Sequence, residues 1–189
     1  PARFRDHMER IREANDQIDD FDILTGIEVD ILADGSLDME HELLAEADWV
    51  VGSVHSKFNL DSAAMTDRLI DAMETGLISA LGHPTGRILG GRDGYVYDFD
   101  AVLEAAGKWG VAMEINGSVG RLDLNSDRAR AAHARGVRII LCSDAHSIRG
   151  LDHIRYAVQQ ARRGWLESTS ILNTLPPDEL LASVRPEIS

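Results

Sequence analysis

Acidic and imidazole side chains follow several apolar segments of this sequence, at the points where those segments end. Asp144 and His146 come directly after a near-continuous apolar run, and Glu28, His55 and His83 lie in or just after three others. Carboxylate oxygens and imidazole nitrogens are ligands of first-row divalent metals. A mixed set without cysteine is typical of catalytic zinc, manganese or iron rather than of a closed structural zinc site. These five residues are therefore candidate metal ligands, and Glu114 or Asn116, at the end of a further apolar segment, is another.

The segments that must position these ligands alternate between two patterns. Five apolar segments are predicted as strands, at residues 21–31, 49–54, 78–82, 111–115 and 138–142. Helices are predicted around and between them, at residues 2–19, 40–47, 61–76, 98–110, 125–136 and 151–163, with a short one after Pro177. This alternation is typical of right-handed βαβ units in one domain with a parallel sheet. Because the carboxyl ends of parallel strands meet at one edge, we expect the five ligands to converge.

Each predicted ligand also has a simpler interpretation. A lone histidine at the end of a strand is more often a hydrogen-bonded structural residue, and Glu28 could pair with an arginine. Three of the seven histidines nevertheless fall at strand ends, which favours the metal site. The other four fall on predicted helices, where we expect surface or packing roles: His7, His41, His133 and His153.

A metal bound by such ligands lowers the pKa of a coordinated water and polarises a carbonyl or phosphoryl oxygen. The predicted reaction is hydrolysis, with no catalytic side chain beyond the metal ligands, and the ligands alone leave phosphoester and amide substrates open. Lys57 and Arg87 stand beside predicted ligands and are predicted to bind a substrate phosphate, with solvated loop charges as the alternative. Asn116 is predicted to orient substrate or water, or else to cap the turn after its strand.

Composition narrows the classes of partner. The 189 residues include 19 Lys and Arg against 32 Asp and Glu, a formal net charge of −13, which disfavours a broad nucleic-acid-binding face. No apolar run approaches the length of a membrane span, so we expect no membrane partner. The single cysteine, Cys142, lies in an apolar run as a small core residue and cannot form an internal disulfide. We expect a cytoplasmic protein.

Several motifs resemble those of the PHP (polymerase and histidinol phosphatase) superfamily. They are GIEVDI with DGSLD at 26–38, SVHS at 53–56, LGHPTGR at 81–87, EIN at 114–116 and SDAHS at 143–147. With GLD at 150–152, RY at 155–156 and ARRGWL at 161–166, the chain most resembles the C-terminal PHP domain of bacterial and archaeal family X DNA polymerases. The resemblance covers about residues 21–176 and is specific because the motifs occur in combination.

The resemblance implies a distorted (β/α)7 barrel with up to three divalent metals at the C-terminal ends of its strands. It implies a metal-dependent phosphoesterase, which in these polymerases is a 3′-5′ exonuclease with the polymerase domain in cis. Glu28 would bridge two metals, and His55 and His83 would complete one of those sites. Asp144 would bind the second metal that Glu28 touches, and His146 the remaining one.

The chain departs from the family pattern at its beginning. The family's His-x-His strand and its Thr-Asp-His motif are absent. We therefore expect residues 1–189 to be a PHP domain that lacks the first two β/α units and about four metal ligands. Five parallel strands do not close a barrel that normally needs about eight. The expectation is an incomplete α/β barrel of about five parallel strands that holds one metal (zinc, manganese or iron) and associates through its open edges.

The leading functional hypothesis is a nuclease that hydrolyses a phosphodiester of DNA with a metal-activated water. A histidinol-phosphatase-like enzyme acting on a phosphorylated small molecule is the alternative within the same class, since the ligand set is shared. A non-catalytic module that braces a polymerase is a third hypothesis. Amidohydrolase-like barrels also place His and Asp at strand ends, but the match of the remaining motifs favours the PHP superfamily.

Overall fold

A parallel sheet of five strands organises the part of the chain that the computed structural model describes, residues 2–184. The strands lie side by side in chain order, and β1 and β5 form the two edges. The sheet is open, so the predicted fold class, an incomplete α/β barrel of five parallel strands surrounded by helices, is confirmed. The strands are β1 (Gly26–Asp30), β2 (Trp49–Ser53), β3 (Ala80–Leu81), β4 (Ala112–Asn116) and β5 (Ile139–Cys142).

Helices precede, connect and follow the strands. They are α1 (Ala2–Asn15), α2 (His41–Glu46), α3 (Ser62–Glu74), α4 (Phe99–Trp109), α5 (Ser126–Ala134), α6 (Ile154–Arg163) and α7 (Pro177–Ala182), with 3₁₀ helices at Ile148–His153, Ser168–Ser170 and Leu172–Thr174. Of the helices in residues 2–184, none combines the length and the apolar composition that crossing a membrane requires. The predicted domain, 1–189, also includes residue 1 and residues 185–189, which lie outside the described part.

Helix boundaries follow the capping chemistry of the sequence. Asp61 accepts a hydrogen bond from the backbone N–H of Ala64 at 2.9 Å and begins α3. Asp98 and Asn125 cap α4 and α5 in the same way. Gly110 ends α4 with a left-handed φ of 67°, which glycine adopts without steric cost. An Asp or Asn thus begins each of these three helices, as is typical of helix N-termini.

Several predicted elements differ in extent from the observed ones: α1 ends at Asn15 instead of residue 19, and β3 is Ala80–Leu81 instead of 78–82. The strand predicted at 21–31 is observed only at Gly26–Asp30, because β2, with which it pairs, begins at Trp49. Trp49 N–H donates to Thr25 O at 3.0 Å, where the pairing starts. The helix predicted at 151–163 is a 3₁₀ helix at Ile148–His153 that continues into α6. The helical segment begins earlier than predicted because Ser147 caps it, accepting a hydrogen bond from Gly150 N–H.

The two faces of the sheet have different environments. Side chains alternate along each strand, and one face carries the buried Val29, Val50, Leu81 and Met113 of the main core. The upstream half of the other face carries Ala80, Ala112 and Ile140, which pack against Leu172 and Val184 of the C-terminal segment. The downstream half of this face carries polar residues at the strand exits. Because the upstream half of this face is buried, a functional site on it is expected at the polar strand exits.

The two edges of the sheet are also different. At β5, Leu141 N–H donates to Asn173 Oδ1 at 2.8 Å and Asn173 Nδ2 donates to Leu141 O at 3.0 Å, so an amide side chain pairs with this edge as a strand would. At β1, Ile31 N–H donates to Ser53 O at 2.8 Å, so the odd-numbered residues pair with β2. Glu28 therefore directs its backbone groups outward. Association through open edges stays a prediction.

Arg68 on α3 connects the segments that follow β1 and β2. Its side chain is buried, with the residue 1% exposed. Nη1 donates to Ser56 O at 3.0 Å, and Nη2 donates to Ile31 O. The guanidinium thus satisfies two carbonyls that no strand pairs, and it holds together the exits of two neighbouring strands.

We expect Arg68→Ala to lower the free energy of unfolding by about 3 kcal/mol, because two carbonyls lose a charged donor and a cavity forms. The measurement is urea unfolding followed by circular dichroism. Arg130→Ala is the matched control, since Arg130 is 53% exposed and pairs only at the surface with Asp127, so its loss should change stability by less than about 0.5 kcal/mol. Equal effects of the two substitutions would contradict this role of Arg68.

Candidate metal centre

Three predicted ligands from three neighbouring strands converge on one point. Oε1 of Glu28, on β1, lies 3.0 Å from Nε2 of His83 and 3.5 Å from Nε2 of His55. Within residues 2–184 these three residues form the one group whose donor atoms all lie within 4.8 Å of one another. The two imidazole rings are 5.1 Å apart at an interplanar angle of 64°, so they approach Glu28 from different directions.

The donor set fits a divalent metal. Ligand atoms about 2.1 Å from a tetrahedral ion are roughly 3.4 Å from one another. The separations of 3.0 and 3.5 Å around Glu28 Oε1 bracket that value. Two imidazole nitrogens and one carboxylate oxygen leave a fourth position for water or substrate, as in catalytic sites. The cluster of Glu28, His55 and His83 can therefore hold a metal ion.

Asp30 orients one of these rings. Its Oδ1 is hydrogen-bonded to Nδ1 of His55, which directs Nε2 toward Glu28. Carboxylates that bind the second nitrogen of a ligand histidine fix the ring and raise its basicity. Asp30 was not among the predicted site residues. The period of two along β1 was the available signal, because it places Asp30 on the same face as Glu28.

Backbone geometry and a buried carboxylate hold His83. The residue has a φ of 27°, an uncommon conformation for a residue with a Cβ. Its N–H donates to Oε2 of Glu114, which is buried on β4 and also accepts from Asn116 Nδ2 at 3.3 Å. A Cβ at the preceding Gly82 would overlap Ser53 Oγ, so only glycine allows the strands to approach this closely. The position of Glu114 at a strand exit made it a candidate ligand, and its contact with the backbone of His83 was not predicted.

Burial and neighbouring charges shift the pKa of Glu28 and of His83 in the cluster. Burial alone would raise the pKa of Glu28, but the hydrogen bond with His83 and the charges of His83 and His55 lower it to about 2. Burial lowers the pKa of His83, while its hydrogen bond with Glu28 and the charge of Glu114 raise it, and the net direction is up. Burial raises the pKa of Glu114. A metal bound by His83 would displace any proton on the coordinating nitrogen, so metal binding is linked to pH.

The last two predicted ligands lie outside this cluster. Asp144 follows β5 with a φ of 54°, and its Oδ2 is 3.4 Å from Nε of Arg121. His146 is 85% exposed at its side chain, with Nδ1 3.0 Å from the backbone O of Asp144. Their assignment as metal ligands stays a prediction.

The predicted substrate-binding residues have different surroundings. Lys57 is exposed in the turn after His55, with a φ of 54°. The Arg87 guanidinium donates to the carbonyls of residues 121 and 122, and Asn116 Oδ1 accepts from Ser118 N–H at 2.9 Å. These contacts favour loop positioning for Arg87 and turn capping for Asn116. Binding of substrate by the three residues stays a prediction.

The fold and the cluster define the class: an α/β protein with a carboxylate–histidine centre at the carboxyl ends of parallel strands. The chain is similar to proteins of the PHP superfamily, so the resemblance that its motifs indicate is confirmed. It is 39% identical over 171 residues to the DNA polymerase/3′-5′ exonuclease PolX of Bacillus subtilis, a match that covers 90% of this chain and 30% of that protein.

Probable phosphatases are also similar to the chain. One from Vibrio atlanticus is 32% identical over 148 residues, covering 71% of this chain and 57% of the relative. One from Shewanella oneidensis is 30% identical over 158 residues, covering 77% of this chain and 60% of the relative. The chain thus spans less than two thirds of each of these three relatives. No family model matches the chain.

We expect Glu28→Gln and His83→Ala each to weaken manganese or zinc binding by more than about 100-fold, because each removes one of three protein ligands. Isothermal titration calorimetry measures the affinity and the number of sites. His133→Ala is the control, since this histidine lies on α5 away from the cluster and contacts Ser170. Unchanged affinity in either cluster variant would contradict the proposed centre.

Asp30→Asn is expected to weaken metal binding by about 10- to 100-fold, less than loss of a ligand does, because it weakens the orientation of His55 without removing a donor. The same titration measures it. Asp127→Asn serves as the control because Asp127 is 81% exposed and pairs with Arg130 on the surface of α5. An affinity equal to that of the unsubstituted chain would show that Asp30 does not act on the centre.

Proposed function

We propose that this chain is a metal-dependent phosphoesterase, the 3′-5′ exonuclease module of a family X type DNA polymerase. The observation that carries the proposal is the convergence of Glu28, His55 and His83 at the exits of neighbouring parallel strands. Zinc, manganese and iron fit this donor set. When bound, such an ion supplies an activated water and stabilises negative charge on the phosphoryl oxygens.

The residues of this chain have separate tasks in the proposal. Glu28, His55 and His83 would hold the ion. Asp30 keeps the His55 ring in one orientation, and Glu114 keeps the backbone of His83 in place. A general base on the protein is not required, because metal coordination lowers the pKa of the attacking water.

The comparisons support a nuclease over other phosphoesterases. The Bacillus subtilis relative, whose name includes both a DNA polymerase and a 3′-5′ exonuclease, shares 39% identity over 90% of this chain. A polymerase domain in cis and DNA as substrate belong to this proposal. The cluster of three donors supports one metal, and occupancy of further sites by Asp144 and His146 remains part of the proposal.

A small-molecule phosphatase of the histidinol-phosphatase kind is the second candidate. The probable phosphatases from Vibrio and Shewanella support it, since their matches cover 71% and 77% of this chain. The net charge of −13 also favours a small substrate over a long polyanion. Both candidates would use the same metal centre and differ in the substrate that binds beside it.

With manganese present, we expect the chain to release nucleotides from a 5′-labelled single-stranded oligonucleotide faster than it releases phosphate from histidinol phosphate. Glu28→Gln should reduce either rate by more than about 100-fold, because the metal is lost, and His133→Ala should leave it unchanged. Gel analysis of the oligonucleotide and a phosphate-release assay measure the two reactions. Preference for histidinol phosphate would favour the second candidate. No hydrolysis of either substrate, with the metal bound, would favour the non-catalytic module.

A further inference from the structure

The loop from residue 117 to residue 125, between β4 and α5, is held by contacts along its length. At its base, Gly117 N–H donates to Cys142 O at 2.7 Å, and Asp123 Oδ2 accepts from Thr85 N–H and Oγ–H, both at 2.8 Å. At its tip, Leu89 N–H donates to Gly120 O at 2.7 Å. These contacts fix the path of the loop next to the exits of β3, β4 and β5.

Arg87 contacts the backbone of Arg121 in this loop. Its Nε donates to the backbone O of Arg121 at 2.9 Å, and its terminal nitrogen donates to Leu122 O. Arg87 therefore holds the backbone of Arg121. The Arg87 guanidinium is engaged by these two carbonyls.

The side chain of Arg121 reaches the same edge of the sheet as the metal centre. It is 20% exposed, and its Nε lies 3.4 Å from Oδ2 of Asp144, the residue that follows β5. The loop that carries Arg121 is also connected to the segment after β3, because Asp123 Oδ2 accepts hydrogen bonds from Thr85, two residues after His83. Among the described residues, the Arg121 side chain forms one ion pair, from its Nε to Asp144. Its two terminal nitrogens can therefore donate to a ligand.

We propose that Arg121 binds the phosphoryl group of the substrate beside the metal centre, with Arg87 as the residue that positions it. The inference rests on the proposed phosphoesterase function. Arginine suits this task because its planar guanidinium offers parallel donors to two phosphate oxygens.

The balance of charge at the strand exits supports this assignment. Glu28, Asp30 and Asp144 contribute three carboxylates, which one divalent ion does not neutralise. An anionic substrate would then meet a negative site. The guanidinium of Arg121 supplies the missing positive charge within a structured loop, so little reorganisation is needed when the substrate binds.

The test measures binding of inorganic phosphate to the manganese-loaded chain by calorimetry. We expect Arg121→Gln to weaken phosphate binding by about 10- to 100-fold, the usual effect of losing a charged, bidentate partner. Arg121→Lys, which can keep the ion pair with Asp144, should show a smaller loss because lysine lacks the planar fork. Arg130→Gln, an exposed arginine on α5, is the control and should bind phosphate normally.

Manganese affinity, measured on the same samples, separates substrate binding from a structural effect. The proposal requires that Arg121→Gln keep its manganese affinity within about threefold while phosphate affinity falls. Phosphate affinity equal to that of the unsubstituted chain would overturn it, as would a parallel loss of manganese and phosphate in both Arg121 variants, or no phosphate binding by the unsubstituted chain. If phosphate binding depends on Arg121 but no phosphoester is hydrolysed, the proposed function fails and the assignment of Arg121 stands.

Discussion

The site depends on one constraint: the carboxyl ends of adjacent parallel strands must open on the same edge of the sheet. Glu28 is on the edge strand β1, His55 follows β2 and His83 follows β3, so the three side chains come from successive neighbours. Oε1 of Glu28 lies 3.5 Å from Nε2 of His55 and 3.0 Å from Nε2 of His83, so it contacts both rings. A shift of register by one residue in β1 would replace Glu28 with an apolar neighbour on this face.

Keeping several carboxylates at one sheet edge is unfavourable unless each has a partner. Asp30 has the second nitrogen of His55, Glu114 has the N–H of His83, and Asp144 has the guanidinium of Arg121. Each carboxylate therefore also positions a group to which the proposed function assigns a role. This arrangement makes the centre a connected set, in which loss of one partner leaves a buried or half-buried charge unsatisfied.

Sequence reasoning was sufficient for features that depend on local pattern. Apolar runs followed by a polar residue identified the strand exits and hence Glu28, His55 and His83, which the structure brings together. Features that depend on the path of the chain in space were not accessible. The role of Glu114 requires the backbone of His83 to turn toward it, and that of Arg121 requires the loop after β4 to fold back over β5. Neither is encoded in spacing along the chain.

The side chain of Asn173 has a consequence for how this sheet can grow. By pairing with both backbone groups of Leu141, it occupies the β5 edge with an amide that cannot propagate a ladder. Recruitment of another strand is thereby directed to the opposite edge, where the backbone of Glu28 faces outward. Any polypeptide that docked there would place its own side chains beside the acidic member of the metal centre. Assembly and chemistry in this protein would then share a single strand.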